Sequence, residues 1–215
     1  MARDTIMAFC AHNDDPILGL GGTLAKYAKK RKKITIVIFS YGELSHPWLK
    51  KEVTAEMRMK EANNSFEVLG CKNVIYLGLD EGRFLEQVEA GDPKQKIIEM
   101  IRENMPTKIF THAIDDPHPD HRAVHSTILK TIDEMKHKCD VYTFGVWNPI
   151  KFSRRDTPRL IVDISETFGT KIKAFKCHKS QKLTEYSILW SIYLKDFFNG
   201  LNRGFRHAEV FTKIR

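Results

Sequence analysis

Two short stretches rich in histidine and aspartate most constrain what this chain can fold into. Each follows an apolar run typical of a buried strand: residues 11–15 (AHNDD) follow residues 5–10, and residues 115–121 (DDPHPDH) follow residues 108–111. Each also precedes a segment with helical periodicity. The carboxyl ends of parallel strands open into one crevice, where ligands bind. The sequence therefore predicts that the two stretches face each other at one site.

Strands and helices alternate through the first two-thirds of the chain. The β-branched run at residues 33–40 predicts another strand, and residues 119–136 predict a helix after the second stretch. This order predicts an α/β fold, a Rossmann-like three-layer sandwich around a mostly parallel sheet. The length fits one domain, residues 1–215, in which the C-terminal third, about residues 147–215, could form a small cap subdomain.

Glycines follow the first stretch, at residues 19–22 (GLGG), before a helical pattern that we expect to begin at Thr23. They raise the alternative of a nucleotide-binding Rossmann domain without hydrolytic activity. The dinucleotide fingerprint G-x-G-x-x-G would need a glycine at Leu24, and two aspartates stand where a pyrophosphate would approach. We therefore expect the glycines to let the helix pack closely against the sheet.

The charge and composition of the chain limit the kinds of molecule that it is expected to bind. The formal charge is +8, which a lysine-rich solvated surface explains and which mildly favours an anionic substrate. The basic run at residues 26–33 lacks interleaved aromatic residues, so we predict a helix C-terminus there and no nucleic-acid partner. Four cysteines without a C-x-x-C pair indicate reduced thiols and a cytoplasmic location.

Apolar runs indicate no membrane span, because none approaches the roughly 20 residues that a bilayer requires. The aromatic-rich residues 187–198 predict a helix that packs in the core. A subunit interface or a lipid-facing patch are the alternatives, and a homo-oligomer is left open.

The spacing of the two stretches suits a metal ion. His118 and His121 are three residues apart at a helix start, so they lie on one face. Asp14 and Asp15 are adjacent at the end of a strand and can point in different directions, so one can bind a metal while the other faces the metal-bound water. Two histidines and one carboxylate with an open position are typical of catalytic zinc sites, although the same set suits Fe²⁺ or another divalent metal.

The same stretches resemble a known family, the LmbE-like (PIG-L) zinc-dependent de-N-acetylases, whose usual patterns are AHPDD and HPDH. Weaker similarities follow in the family's order at residues 58–61 (RMKE), 77–80 (LGLD) and 173–181 (KAFKCHKSQ). Asn13 departs from the usual proline and should leave the ligands unchanged. Pro16 replaces the usual glutamate, which affects a contact near the metal but not the metal itself.

The resemblance implies the roles of the matched residues. Three of them would bind zinc: His12, Asp15 and His121. Asp14 would be the general base that takes a proton from metal-activated water, and His118 would stabilise the tetrahedral oxyanion. Asp120 would orient or polarise a histidine; its alternative is an ordinary acid in the first turn of a helix.

Three further matched residues would contact the substrate: Arg58, Asp80 and His178. Two of these residues, Arg58 and His178, could instead have purely structural roles. Arg58 could form a surface ion pair with Glu56 or Glu61 on its own helix, and His178 could be a packed helix histidine.

Together these features predict a metal-dependent hydrolase, and the family resemblance implies that it removes an N-acetyl group from an N-acetylglucosamine-type amino sugar or conjugate. The carrier is left open between a free sugar, a thiol conjugate, a nucleotide sugar and a lipid. A metal-dependent amidase acting on a non-sugar amide is the enzymatic alternative. A non-catalytic regulator with the same fold is disfavoured, because a scaffold does not need a base beside an open metal site.

Overall fold

A computed structural model describes residues 4–146, 157–201 and 203–215, with backbone alone for residues 181–188. The strands β1 to β7 span Thr5–Cys10, Lys33–Ile38, Asn73–Tyr76, Lys108–His112, Asp140–Phe144, Arg159–Asp163 and Ala208–Lys213. The helices α1 to α7 span Asp15–Lys29, Lys51–Leu69, Phe84–Glu89, Asp92–Asn104, Pro119–Met135, Phe168–Phe175 and Lys182–Leu201. A short 3-10 turn covers Lys179–Gln181. The sequence did not indicate α3.

All seven strands form one sheet, in the order β3-β2-β1-β4-β5-β7-β6. The pairs among β1 to β5 are parallel, and β7 runs antiparallel to both β5 and β6. This confirms the predicted α/β fold with a mostly parallel sheet. The predicted single domain with a cap stays a prediction, and residues 147–156, where that cap would begin, lie outside the described residues.

The alternating side chains of β1 divide the core into two halves. Ile6, Ala8 and Cys10 pack with residues of α1, α2, α6 and α7, whereas Met7 and Phe9 pack with residues of α3, α4 and α5. Successive residues of a strand point to opposite faces of the sheet, so helices cover both faces. The result is the predicted three-layer sandwich, in which a nearly continuous apolar strand suits burial on both sides.

The order of the strands creates a crevice beside β1. The chain runs from β1 outward to β2 and β3, then returns to β4 on the opposite side of β1. Ligands in open α/β sheets bind at such a switch point, outside the carboxyl ends of the strands. Both histidine and aspartate stretches follow these two strands, β1 and β4.

Helix α1 begins at Asp15, eight residues before the predicted start, and contains the three glycines. A Cβ on Gly19 would lie 2.2 Å from the Phe144 ring, and one on Gly22 would lie 2.7 Å from Ile164. The glycines therefore serve close packing, as expected, and these side chains fill the space that a phosphate would need. The helix is interrupted at Leu20, whose φ is −147°.

A buried ionic group, called the lysine cluster below, completes the interrupted helix. The Glu209 carboxylate of β7 accepts hydrogen bonds from Gly22 N–H at 3.0 Å and Thr23 N–H at 2.7 Å. Lys171 Nζ donates to Glu209 and to Asp196, both at 2.7 Å. All three charged side chains are buried. The free N–H groups after the break thus meet a carboxylate, as at a helix N-terminus.

Helix α7 packs in the core on one face only. Ile192 and Asp196 are buried, but the opposite face exposes six large apolar side chains: Trp190, Tyr193, Leu194, Phe197, Phe198 and Leu201. The prediction that this aromatic segment simply packs in the core is therefore corrected for that face. In the part of the chain that the structure describes, no helix combines the length and apolar character needed to cross a bilayer.

Candidate metal centre and active site

The fold brings the two stretches together, because β1 and β4 are neighbours and end at the same edge. The His12 ring lies 4.8 Å from the His118 ring and 5.4 Å from the His121 ring, measured between centroids. His12 lies in the turn between β1 and α1. His118 is the N-cap of α5, and His121 lies in the first turn of that helix. The juxtaposition expected from the sequence is thus present in the structure.

Asp15 lies between the two histidines predicted to bind metal. Its Oδ1 is 3.3 Å from His121 Nε2, and its Oδ2 is 3.5 Å from His12 Nδ1. Oδ2 also accepts the His12 backbone N–H at 2.7 Å, which fixes the carboxylate. Ligands about 2.0–2.2 Å from a tetrahedral zinc are separated by roughly 3.3–3.6 Å. Each of these two contacts therefore has the spacing of a pair of zinc ligands, although the three side chains together are not one of the groups whose ligand atoms all lie within 4.8 Å.

Asp116 supports His121 from behind. Its Oδ1 lies 2.9 Å from His121 Nδ1 and accepts the His118 N–H, while its Oδ2 accepts the Val146 N–H. Burial would raise the pKa of Asp116, but His121 lowers it to about 2. A carboxylate behind a histidine is the usual outer partner of a metal ligand. The sequence analysis assigned Asp116 no role, although it lies inside the second stretch.

His121 presents its other nitrogen to the cluster. Among the described residues its Nε2 has no hydrogen-bond partner, although the side chain is fully buried. Burial opposes the charged form of His121, yet the charge of Asp15 and the contact with Asp116 raise its pKa to about 9. A buried nitrogen and a carboxylate that lie close together without a hydrogen bond could both donate electron pairs to a cation bound between them.

Two groups of three side chains have ligand atoms within 4.8 Å of one another: His12, His118 and His121, and Asp15, His112 and His121. The predicted set of His12, Asp15 and His121 takes two members from each group. Its assignment as the ligand set stays a prediction.

His112 lies at the end of β4 and is fully buried. Its Nε2 accepts the Ala11 N–H at 3.0 Å, and burial lowers its pKa to about 4. The lone pair of that nitrogen is therefore already engaged, while the ring stacks on His121 at 3.9 Å. His112 thus ties β4 to the first stretch and supports His121.

Asp14 is paired with Arg58, and its side chain is 20% exposed. Arg58 Nη2 lies 3.5 Å from Asp14 Oδ2, and the arginine is only 3% exposed. The alternative of a surface ion pair with Glu56 or Glu61 is therefore wrong; Glu61 instead accepts hydrogen bonds from Ser180 N–H and Oγ–H. Among the described residues, Arg58 Nε and Nη1 have no hydrogen-bond partner, so they remain available to a ligand.

His178 is buried near the same pair. Neither of its ring nitrogens has a hydrogen-bond partner among the described residues. Burial lowers the pKa of His178 to about 4, although the charge of Asp14 opposes this shift. A neutral, buried imidazole beside Asp14 and Arg58 can accept or donate one hydrogen bond to a substrate.

Asp120 contacts His12, as a residue that orients a histidine should. Its Oδ2 lies 3.3 Å from His12 Nε2, and its Oδ1 accepts the Gly82 N–H at 3.0 Å. Burial disfavours a charged His12, but Asp120 and Asp15 raise the pKa of this imidazole well above its usual value. The backbone N–H of Asp120 donates to His118 Nδ1 at 3.2 Å.

Asp80 lies apart from this cluster. Its carboxylate contacts Gln87 Nε2 at 3.1 Å and Arg83 Nη1 at 3.4 Å, and more than half of the side chain is exposed. The structure therefore brings together eight of the nine predicted site residues and leaves Asp80 at the outer edge.

Comparison with known proteins agrees with the predicted family. Residues 7–132 match the family described as PIG-L: GlcNAc-PI de-N-acetylase. A probable N-acetyl-α-D-glucosaminyl L-malate deacetylase 2 of Bacillus cereus is 25% identical over 84% of both chains. A diacetylchitobiose deacetylase of Thermococcus kodakarensis is 25% identical over 92% of this chain and 78% of its own.

Solved structures show the same fold. The N,N'-diacetylchitobiose deacetylase of Pyrococcus horikoshii has a TM-score of 0.80 and 20% identity, covering 99% of this chain and 84% of its own. The 4-carboxy-2-hydroxymuconate hydratase GalB of Pseudomonas putida has a TM-score of 0.77 and 18% identity, covering 99% and 96%. The fold alone thus accompanies more than one reaction. The family match, which spans more than half of the sequence, decides the class: the chain belongs to the PIG-L family of de-N-acetylases, enzymes that hydrolyse amide bonds.

Proposed function

We propose that this chain removes the N-acetyl group from an N-acetylglucosamine-type amino sugar or conjugate, with zinc as its cation. The observation that carries the proposal is the position of Asp14, held by buried Arg58 next to the metal-type cluster around Asp15. The names of two sequence relatives support the substrate class, since one acts on an N-acetylglucosaminyl malate and another on diacetylchitobiose.

Three side chains would hold the zinc: His12, Asp15 and His121. When bound, the cation would act as a Lewis acid that makes water more acidic and polarises the amide carbonyl. Asp116 would keep His121 oriented through the 2.9 Å contact at Nδ1, and Asp120 would do the same for His12 at Nε2.

Asp14 would serve as the general base. Its carboxylate neighbours Asp15 in sequence and is fixed by the guanidinium of Arg58, so it stands beside the cluster without occupying it. It would take a proton from the water that attacks the carbonyl carbon, then return that proton to the nitrogen as the C–N bond breaks. The products would be a free amino group on the sugar and acetate.

His118 would stabilise the oxyanion. Because its Nδ1 accepts the Asp120 N–H, the hydrogen of the neutral ring lies on Nε2. Burial and the neighbouring His12 and His121 lower the pKa of His118, which favours this neutral form. An Nε2–H group can then donate a hydrogen bond to the oxygen that gains charge as the carbonyl is attacked.

Substrate contacts would come from the unpaired atoms around Asp14. Arg58 Nε and Nη1 and the His178 ring are buried without hydrogen-bond partners among the described residues, which suits sugar hydroxyl groups. Asp80 would reach a substrate only from the outer edge of the site. A cytoplasmic location, the absence of a nucleic-acid partner and a homo-oligomeric state stay predictions.

The test measures amine release from N-acetylglucosamine, diacetylchitobiose and, as a non-sugar amide, an N-acetylated amino acid, with the metal content of the same preparation. Asp14→Asn should lower kcat by about 10²- to 10⁴-fold while the metal content stays the same. The matched control is Asp115→Asn, because Asp115 is exposed and lies in the second stretch.

Three results would count against this function. Failure to bind any divalent cation would remove the proposed centre, and an active Asp14→Asn enzyme would remove the proposed base. Turnover of the amino acid derivative but neither sugar would replace the sugar substrate with a non-sugar amide.

A further inference from the structure

The loop that joins β2 to α2, residues 39–50 and called the rim loop below, exposes an apolar surface. Trp48 is 72% exposed and Leu44 is 47% exposed, while Tyr41 and Leu49 are each exposed by more than a third. The loop follows the carboxyl end of β2, so it stands at the same edge of the sheet as the candidate site. Exposed tryptophan among aliphatic side chains on a loop of this kind is typical of a binding surface.

The rim loop is bonded directly to the first stretch. Asn13 is fully buried, and its Nδ2 donates to the Tyr41 carbonyl at 2.9 Å. At the next residue, Gly42, φ is +76°, and a Cβ there would lie 3.2 Å from both Asn13 Nδ2 and Arg58 Nε. Proline, the usual family residue at position 13, lacks this amide donor. In this chain, Asn13 stands between the proposed ligand His12 and the proposed base Asp14, so it joins the rim loop to both of them.

A second connection runs to the opposite side of the site. Leu44 N–H donates to Glu81 Oε1 at 3.4 Å, and Glu81 N–H donates to Glu43 Oε1 at 3.3 Å. The next residue, Gly82, donates its N–H to Asp120. The rim loop is thus connected through hydrogen bonds to both the Asn13 side and the Asp120 side of the cluster, so the loop lies beside the candidate site.

The His46 ring supports the indole of Trp48. The indole packs edge-on against the His46 ring, with 5.2 Å between centroids and 80° between planes. His46 is buried, and its two nitrogens contact Ser45 Oγ at 3.0 Å and the Ser180 carbonyl at 3.2 Å. Ser180 lies two residues after His178. An aromatic ring ordered in this way can bind a flat or apolar group without a large entropic cost.

We propose that Tyr41, Leu44, Trp48 and Leu49 form a subsite for the group attached to the acetylated sugar, and that this group is an apolar aglycone. The proposal rests on the proposed function, because it assumes that the sugar is bound at Asp14. The charge beside the loop is mixed, because Glu43 and Glu81 are bonded to it while the exposed Lys50 ends it, so the exposed apolar side chains decide the kind of group that fits. The overall charge of +8 would otherwise have favoured an anionic one.

The experiment compares three substrates: free N-acetylglucosamine, its phenyl glycoside and its 1-phosphate. The wild-type enzyme should have a lower KM for the phenyl glycoside than for the other two. Trp48→Ala should raise KM for the phenyl glycoside by roughly 5- to 30-fold, because an aromatic contact and its buried apolar area are lost. Its kcat, and the KM for the free sugar, should stay within about twofold, a range too small to represent loss of such a contact.

Two further variants control for side effects. Trp48→Phe keeps an aromatic ring and should retain part of the preference for the phenyl glycoside. Trp190→Ala removes an equally exposed tryptophan, 68% exposed on α7, and should change neither KM. A preference for the phenyl glycoside that survives Trp48→Ala would overturn the proposal. So would an equal rise in KM for all three substrates, or a wild-type preference for the 1-phosphate.

Binding without turnover separates this proposal from the proposed function. The dissociation constant of the phenyl glycoside is measured by calorimetry in the Asp14→Asn protein, with and without Trp48→Ala. Tighter binding of the glycoside than of the free sugar, lost with Trp48→Ala, supports the subsite even if the wild-type enzyme releases no acetate. Equal binding of the glycoside with and without Trp48 rejects the subsite, even if the enzyme deacetylates the free sugar.

Discussion

Two buried charged clusters in this protein are similar in burial and differ in the groups that carry their positive charge. In the lysine cluster, Lys171 bonds two carboxylates, and both oxygens of Glu209 accept hydrogen bonds. In the site cluster, His121 Nε2 has no hydrogen-bond partner among the described residues, although Asp15 lies 3.3 Å away. Asp196 Oδ1 of the lysine cluster also has no hydrogen-bond partner among the described residues, so one unpaired buried atom does not by itself identify a functional site.

The comparison teaches that burial and charge alone do not identify a functional site. Lys171, Asp196 and Glu209 are as deeply buried as any residue of the candidate metal centre. What separates the clusters is the ratio of donors to acceptors: the lysine cluster contains its own cation, whereas the site cluster contains carboxylates and imidazoles that together suit an added one.

The largest expected effect comes from removing the cation of the lysine cluster. Lys171→Met leaves two buried carboxylates without their positive partner, and should lower the free energy of unfolding by about 3–5 kcal/mol. Chemical denaturation measures this loss. Lys171→Met combined with Asp196→Asn should recover part of it, because the remaining Glu209 keeps two backbone N–H donors. A loss below about 1 kcal/mol would mean that the cluster is not a structural ion group.

The next effect tests the helix that the lysine cluster completes. A Cβ on Gly22 would lie 2.7–2.9 Å from three atoms of the Ile164 side chain. Gly22→Ala should therefore force α1 away from β6 and lower the free energy of unfolding by about 1–3 kcal/mol. Thermal and chemical unfolding measure the change. Unchanged stability would show that Ile164 can move aside and that close packing does not require this glycine.

A smaller effect on stability but a larger one on metal binding is expected in the site cluster. Asp116→Asn weakens the partner of His121 and should reduce zinc affinity by about 10- to 100-fold. Its cost in unfolding free energy should be near 1 kcal/mol, the value of one lost hydrogen bond. Competition with a zinc-binding dye gives the affinity, and Asp115→Asn is the matched control. A destabilisation as large as that of Lys171→Met, with unchanged metal affinity, would erase the distinction between the clusters.

The smallest effect comes from a glycine that neither cluster uses. A Cβ on Gly169, in α6, would meet no atom within 4 Å. Gly169→Ala should stabilise the protein by about 0.5–1 kcal/mol, because alanine has the higher helix propensity. This variant is the control for Gly22→Ala, since both place a methyl group in a helix. Destabilisation at Gly169 would mean that the loss at Gly22 is not specific to its packing.

The sequence was sufficient to predict the part of the site that depends on local order. His12 and Asp15 follow one strand and His121 follows another, and parallel strands necessarily end at one edge. It was not sufficient where tertiary contacts decide. The residues around Gly21 were expected to precede the first helix, because glycine has low helix propensity. Their packing against other elements, and the bonds from Glu209, extend the helix back to Asp15.

Tertiary contacts also explain why Asp80 and helix α7 differ from what the sequence predicted. Asp80 follows the end of β3 by four residues. Its carboxylate contacts Gln87 in the unpredicted helix α3 and Arg83, the residue before that helix, instead of the cluster. The aromatic composition of α7 indicated burial, but composition does not specify which face meets the core. Lys171 had no recognisable signal, since its two partners lie 25 and 38 residues away.

The bond between Glu209 and α1 also has a consequence for the order in which a new chain can complete its first helix. The two N–H groups and their carboxylate are separated by 186 and 187 residues. At synthesis rates of about 5–20 residues per second, the first helix leaves the ribosome roughly 10–40 s before its partner. During that interval the start of the chain has its catalytic motif but not the contact that completes the helix behind it. Completion of α1 by Glu209 is therefore a late event in the life of the nascent chain, because it requires β7 to enter the sheet between β5 and β6.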